Sequence, residues 1–280
     1  MAIKIEITEI PPMPQSMMQV IQFDPLSDTA SSSHLERIIL PDKGMTASIM
    51  RIANSAYYGQ SGKVKTLQDA ITLLGLKATK NLVILLNGQE IFGRLQADTF
   101  RLLVHESSIL AALIAIDISK PLGQVAVRDE AFIFSLLHNI GMSVIALNAR
   151  SEYERVLNSY LHSGGSLPLL EQQQLGTDHM AVGLEVFKKW KLPEGAHDIV
   201  FEYDFDPTMA DQKSALHRVV SLAVLLARRI LALPDDEEAG AREEAVLKSF
   251  GKDRAVTGAF DGAWYNMIQD HPFYQLAMEL

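Results

Sequence analysis

Histidines are the residues of this chain best suited to chemistry, and three of the eight are candidates for a site. His105 lies on the apolar face of a predicted long helix, His138 follows an apolar helix, and His179 falls in the first turn of another. Imidazoles from three helices could converge on one metal ion, because imidazole is a common metal ligand. The alternative is a neutral core histidine with one hydrogen bond, which is the usual state of buried polar groups. Periodicity favours this alternative for any one of the three.

Helices must position these side chains, because helical periodicity extends over nearly the whole chain. Apolar residues recur at helical spacing along 67–74 and 102–116, which predicts one buried face on each helix. Strand patterns are weak, and the alternation at 3–7 allows one short strand at most. The sequence therefore predicts an all-α protein.

Several helix ends are predicted by capping residues. Thr177 or Asp178 predicts the start of the helix that carries His179, and Ser151 with Glu154 forms a capping-box pattern for another helix. A last long helix is predicted over about 210–233, because Pro234 follows it.

Two units are predicted along the chain. The short polar stretch at 93–96 interrupts two long apolar helices, so a boundary is expected there. We expect an N-terminal helical subdomain over 1–96, followed by a helical bundle with a C-terminal helical extension over 97–280.

Composition excludes several functional classes. The 34 acidic and 25 basic residues give a net charge of −9, which disfavours nucleic-acid binding because clustered Lys and Arg supply most of that affinity. Cysteine is absent, so disulfides and Cys-based metal sites are excluded. The longest uncharged apolar run, about 109–116, is far shorter than the roughly 18 residues of a membrane span. We expect a cytoplasmic protein without nucleic-acid or membrane partners.

Six segments, in order along about residues 10–230, carry a family resemblance. They are IPPMP at 10–14, RIANSAYYG at 51–59, LQDAITLLGL at 67–76, LLHNIG at 136–141, TDHMAVG at 177–183 and WKLP at 190–193. Together they resemble the motifs of HDOD (HD-related output domain) proteins, a branch related to the HD-domain metal-dependent phosphohydrolases. The resemblance implies a helical subdomain packed on an HD-like helical bundle.

The resemblance also implies four metal-ligand positions, which are His105, His138, Asn139 and Val224. HD enzymes have acids where this chain has Asn139 and Val224, so two ligands have lost their carboxylate. Sites for Mg²⁺ or Mn²⁺ depend on anionic oxygen ligands, and we therefore expect no catalytic residues here. Glu202-Tyr203 stands where the resemblance implies two histidines.

A cluster of three histidines nevertheless remains possible. His105, His138 and His179 could hold a divalent Zn, Ni or Mn ion without turnover, or the site could hold no cofactor. The resemblance implies a bacterial signalling output module that binds a protein partner or a small ligand. The alternative is a residual metal-dependent phosphohydrolase that acts on a nucleotide or cyclic dinucleotide. The missing carboxylates favour binding. The sequence does not specify the oligomeric state.

Overall fold

The computed structural model describes residues 4–59, 62–92, 98–192 and 194–279. Every regular element in these ranges is a helix, so the predicted all-α fold is confirmed. The short strand considered at 3–7 is not formed over its described residues. Instead, the Ile5 N–H donates to the carbonyl of Leu175 at 3.0 Å, in the last turn of a helix. The predicted boundary segment at 93–96 lies outside the described residues.

The chain divides into two compact units. The smaller contains Pro12–Ile91 and Asn266–Leu280. Its helices are α1 (Gln15–Gln22), α2 (Ser32–Ile39), α3 (Lys43–Ala53), α4 (Leu67–Leu74), α5 (Leu76–Phe92) and α17 (Pro272–Glu279). Helix α2 begins after Ser31 and α4 after Thr66, and each of these side chains accepts a hydrogen bond from a first-turn N–H.

The larger unit contains the described parts of Met1–Pro11 and Phe92–Tyr265. Its helices are α6 (Asp98–Phe100), α7 (Ser107–Ser119), α8 (Arg128–Leu137), α9 (Ile140–Asn148), α10 (Arg150–Ser163), α11 (Leu167–Leu175), α12 (His179–Lys189), α13 (Glu194–Phe201), α14 (Ala215–Ile230) and α15 (Ala239–Ser249). The first half of α16 (Gly262–Gln269) also belongs to this unit, and its residues from Asn266 belong to the smaller one. A π-helical segment, Arg101–Glu106, joins α6 to α7. Helix α7 packs on α8 and α14, and α9 packs on α12.

The units differ from the predicted ranges at both ends of the chain. The N-terminal segment belongs to the larger unit, where the Trp190 indole donates to the carbonyl of Pro11 at 2.9 Å. The C-terminal helix α17 belongs to the smaller unit, where it packs on α3. Sequence periodicity shows which face of a terminal segment is apolar, but it does not show which bundle that segment joins.

Two predicted helix ends are wrong and one is confirmed. The Ser151 side chain donates to Glu152 inside α10, which begins at Arg150, so the capping box is not formed. The last long helix begins at Ala215 rather than near 210, because Ser214 accepts a hydrogen bond from His217 N–H and caps it. Asp178 caps α12 as predicted, accepting from Ala181 N–H.

Two apolar stretches of the larger unit are long enough to cross a membrane by length and composition alone. They are Asp98–Ser119 and Val125–Asn148. Of their apolar windows, 72% and 89% respectively are buried inside the protein. Both stretches therefore have the burial of core helices.

Candidate functional site

The π-helical segment releases one backbone carbonyl for tertiary contacts. The N–H of Ser107 donates to the carbonyl of Leu102, five residues back, instead of that of Leu103. The Leu103 carbonyl instead accepts a 2.6 Å hydrogen bond from the Ser107 hydroxyl. A carbonyl oxygen has two lone pairs, so this carbonyl can accept from a second donor.

The His138-Asn139 pair connects α8 and α9 and supplies that donor. The Asn139 side-chain amide Nδ2 donates to the Leu103 carbonyl and to the Ser107 hydroxyl, each at 3.0 Å. Both hydrogen bonds are buried. Asn139 therefore uses its amide N–H groups, which a carboxylate lacks, to connect the start of α9 to the π-helical segment.

The ring of His138 is buried and neutral. Its Nδ1 is 2.7 Å from the carbonyl of Ser135, and since a carbonyl only accepts, Nδ1 carries the proton and Nε2 does not. Burial lowers the pKa of His138 to about 3. The ring of Tyr203 packs edge-on against it, with centroids 5.2 Å apart.

Close backbone contact between α9 and α12 brings His138 near His179. A Cβ added at Gly141 would lie 1.9 Å from the carbonyl oxygen of His179 and 2.7 Å from the Gly183 nitrogen. Only glycine permits this approach. The glycine of the LLHNIG segment therefore has a packing role.

His179 is at the centre of a buried hydrogen-bonded chain. Glu171 Oε2 accepts from the backbone N–H of His179 at 2.9 Å and from its ring Nδ1 at 2.6 Å. The other oxygen of Glu171 accepts from the Tyr153 hydroxyl at 2.5 Å. On the far side of the ring, Nε2 lies 2.8 Å from the Tyr203 hydroxyl. All four side chains are at least nine-tenths buried.

The charge of Glu171 raises the pKa of His179, and burial keeps Tyr203 neutral. Burial lowers the pKa of His179, but the charge of Glu171 and its hydrogen bond outweigh burial, so the pKa is raised above its ordinary value. Burial raises the pKa of Tyr203 well above 10, and nearby Asp204 adds to the effect. Tyr203 is therefore a neutral phenol and a poor nucleophile.

A cavity of about 30 Å³ lies among these groups, enough for about one water molecule. Its polar wall contains His138, Asn139, His179, Tyr203, Asp204 and Arg228, with Ser107 and Tyr160. Its remaining wall is apolar: Leu103, Met142, Leu167, Pro168 and Leu233. We call this space the central cavity.

The structure places the four predicted ligand positions in different surroundings. His138 and Asn139 line the central cavity. Val224 is buried in α14, with 1% of its surface exposed. His105 is in the π-helical segment, and its Nε2 is buried without a hydrogen-bond partner among the described residues. Burial lowers the pKa of His105, so it is neutral at pH 7.

The side chains of the larger unit do not fit the metal that the family resemblance implies. Asn139 faces Leu103 and Ser107 with its amide N–H groups, and both ring nitrogens of His179 are in hydrogen bonds. No group of three His, Asp or Glu suited to a metal ion occurs in the described part of the chain. The predicted cluster of His105, His138 and His179 is therefore not found as a metal-binding group in the described residues. The Nδ1 of His138 and both ring nitrogens of His179 lie within hydrogen-bond distance of protein groups.

The sequence patterns did not indicate three residues of this region. Glu171, Asp204 and Arg228 belong to no motif that marks a site. Glu171 is buried in the leucine-rich α11, and Arg228 lies in the leucine-rich α14 with its side chain 15% exposed. A charged residue among leucines of a predicted helix is a signal that could have marked both, because charged residues are seldom buried without a partner. Tyr203 was identified only as the residue in place of a histidine, and it lines the cavity.

Comparison with known proteins agrees with this architecture. The HDOD domain model matches residues 10–204. An HDOD domain protein from Geobacter sulfurreducens has a similar fold, with a TM-score of 0.76, 18% identity and coverage of 97% of this chain and 94% of that one. A Marinobacter aquaeolei protein, provisionally described as a signal transduction protein, has a TM-score of 0.77 and 22% identity, covering 97% of this chain and 60% of that one.

Two further proteins are also similar to this chain. A Shewanella amazonensis protein, provisionally described as a phosphohydrolase, has a TM-score of 0.68 and 20% identity, covering 98% of this chain and 96% of that one. An uncharacterized protein from Treponema pallidum is 22% identical over 190 residues, which are 67% of this chain but 36% of that protein. The chain thus spans little more than a third of this relative. Since the domain model matches well over half of the sequence, the chain belongs to the HDOD family.

Proposed function

We propose that this protein is a non-catalytic signal-transduction output module that binds a protein partner or a small ligand. The observation that carries the proposal is the role of Asn139. A metal-bridging acid would have to present oxygens to the cavity, but Asn139 presents N–H groups to Leu103 and Ser107. Without that acid there is no route to a metal-bound hydroxide.

The setting of the proposed function is bacterial signalling in the cytoplasm. The relatives named above come from bacteria, and one is provisionally described as a signal transduction protein. The chain's own acidity, with a net charge of −9, supports a partner other than nucleic acid.

The second candidate is a residual metal-dependent phosphohydrolase. It is favoured by His138, whose unprotonated Nε2 belongs to a ring that lines the central cavity. It is also favoured by the fold shared with the Shewanella protein. We rank it second because the acids that would complete the site are replaced by Asn139 and Val224.

An activity assay separates the two candidates. The purified protein is incubated with Mn²⁺, Mg²⁺ or Ni²⁺ and a panel of nucleotides, cyclic dinucleotides and phosphomonoesters. We expect no hydrolysis above that of a His138→Ala variant. Metal-dependent turnover by the wild type that is lost in His138→Ala would establish the phosphohydrolase instead.

A further inference from the structure

Helix α14 carries a cation, Arg228, four residues after the position where the family resemblance implies an acid. Val224, at the position of the missing acid, and Arg228 are four residues apart in α14 (Ala215–Ile230). Residues at this spacing lie on one face of a helix, one turn apart. Val224 is buried and Arg228 lines the central cavity.

The guanidinium of Arg228 is held by groups around the cavity. One terminal nitrogen, Nη1, lies 3.4 Å from Asp204 Oδ2. The other, Nη2, donates to the Tyr160 hydroxyl at 2.6 Å and to the carbonyl of Pro234. Nε lies 3.6 Å from Asp235 Oδ1. The cation is therefore fixed at the cavity by acceptors on several sides.

The two carboxylate oxygens of Asp204 lie near two different arginines. Its Oδ2 faces Arg228, while its Oδ1 lies 3.6 Å from Arg242 Nη1. Arg242 is 3% exposed and also donates to the carbonyl of Phe205 at 2.6 Å. Oδ2 is thus the oxygen that loses its cation if Arg228 is removed.

We propose that Arg228 is the resident cation of the central cavity and that its guanidinium replaces the divalent metal of catalytic relatives. Like a metal, it neutralises the carboxylate at the cavity wall, and it repels any added dication from the same space. This inference rests on the proposed non-catalytic function and gives it a mechanism. The chain itself supplies the cation that balances the Asp204 carboxylate, so this carboxylate needs no metal ion as its counter-charge.

Replacing Arg228 should convert the cavity into a cation site. In Arg228→Met, the side chain keeps much of its length and loses its charge. The variant leaves the Asp204 carboxylate and the unprotonated His138 Nε2, whose residues both line the central cavity. Zn²⁺ accepts nitrogen and oxygen ligands of these types. We expect calorimetric titration to give a Zn²⁺ Kd at least about tenfold lower for Arg228→Met than for the wild type.

Two matched variants test why Arg228→Met should bind Zn²⁺ more tightly. Arg228→Lys keeps the positive charge, so its Zn²⁺ affinity should remain that of the wild type. Asp204→Asn combined with Arg228→Met removes the released carboxylate and should cancel the gain. If Arg228→Met alone does not fold, the same prediction is tested by refolding: Zn²⁺ should restore its circular dichroism but not that of the double variant.

The outcomes separate this inference from the proposed function. Equal Zn²⁺ affinity of the wild type and Arg228→Met, or failure of Zn²⁺ to restore an unfolded Arg228→Met, would overturn the resident-cation proposal. So would wild-type Zn²⁺ binding that His138→Ala abolishes. None of these results implies hydrolysis, so each leaves the non-catalytic function intact. Metal-dependent turnover in the activity assay would overturn the function itself.

Discussion

The side-chain amide of Asn139 donates a 3.0 Å hydrogen bond to the backbone carbonyl of Leu103, 36 residues earlier in the chain. This carbonyl is available because the π-helical segment shifts the hydrogen bond of Ser107 N–H to Leu102. The Asn139 amide and the π-helical segment are therefore complementary. Asn139, which stands in place of the metal-bridging acid, therefore also connects two helices of the larger unit.

Asn139→Asp should destabilise the protein by about 2–4 kcal/mol at pH 7, because a buried carboxylate would face a carbonyl oxygen with no proton to donate. Equilibrium urea unfolding measures the loss. Asn158→Asp is the control, since Asn158 accepts a hydrogen bond from Thr99 at an exposed site, and it should change stability by less than about 0.5 kcal/mol. Equal stability of wild type and Asn139→Asp would contradict the donor role.

Gly141→Ala should cost about 3 kcal/mol or more. The new Cβ would lie 1.9 Å from the His179 carbonyl oxygen, which is backbone, so α9 and α12 must move apart. Gly240→Ala is a matched control inside α15, where an added Cβ meets nothing within 4 Å. It should be neutral or stabilising by up to about 1 kcal/mol, from helix propensity. Similar urea midpoints for the two variants would refute the close-packing argument.

Glu171→Gln should lower the pKa of His179, because the carboxylate charge that raises it is removed. NMR titration of the His179 ring measures the change directly. At pH 6 the variant should also be less stable by about 3 kcal/mol, since a buried ion pair loses one partner. An unchanged His179 pKa would mean that Glu171 does not control its protonation.

The stability difference between the wild type and Glu171→Gln should depend on pH with a definite sign. The folded pKa of His179 is raised above the unfolded value of about 6.5. The stability from protonating His179 is therefore complete below about pH 6.5 and is lost as the pH rises through the folded pKa. Urea unfolding of both proteins from pH 6 upward should show the difference narrowing. A constant difference would assign the loss to packing rather than to charge.

Burial of the neutral His138 ring should lower the free energy of unfolding in acid. Its folded pKa of about 3 lies below the unfolded value of about 6.5, so between these values the unfolded chain binds more protons. Its contribution to the stability thus falls as the pH decreases from about 6.5 to 3, by up to about 4–5 kcal/mol. His138→Asn keeps a donor for the Ser135 carbonyl and removes the titration. Its stability should fall less over this range, as urea unfolding at pH 4–7 would show. Parallel profiles would exclude a neutral buried His138.

Much of the fold follows from local signals in the sequence. Helical periodicity predicted the all-α class, and Asp178 predicted the start of α12, because an N-cap acts on N–H groups three residues away. The motif segments predicted the family. The replacement of acids at Asn139 and Val224 was visible in the sequence, since it needs only the residue type.

The tertiary structure decided what these residues do. Asn139 acts as a donor because the π-helical segment exposes the Leu103 carbonyl, and no local pattern at 101–106 predicted that segment. The three histidines do not form a metal cluster because His179 bonds to Glu171 and Tyr203. Arg228 reaches the central cavity through the packing of α14. Such contacts join residues far apart in sequence, and their geometry depends on how helices pack, which the spacing within one helix does not specify.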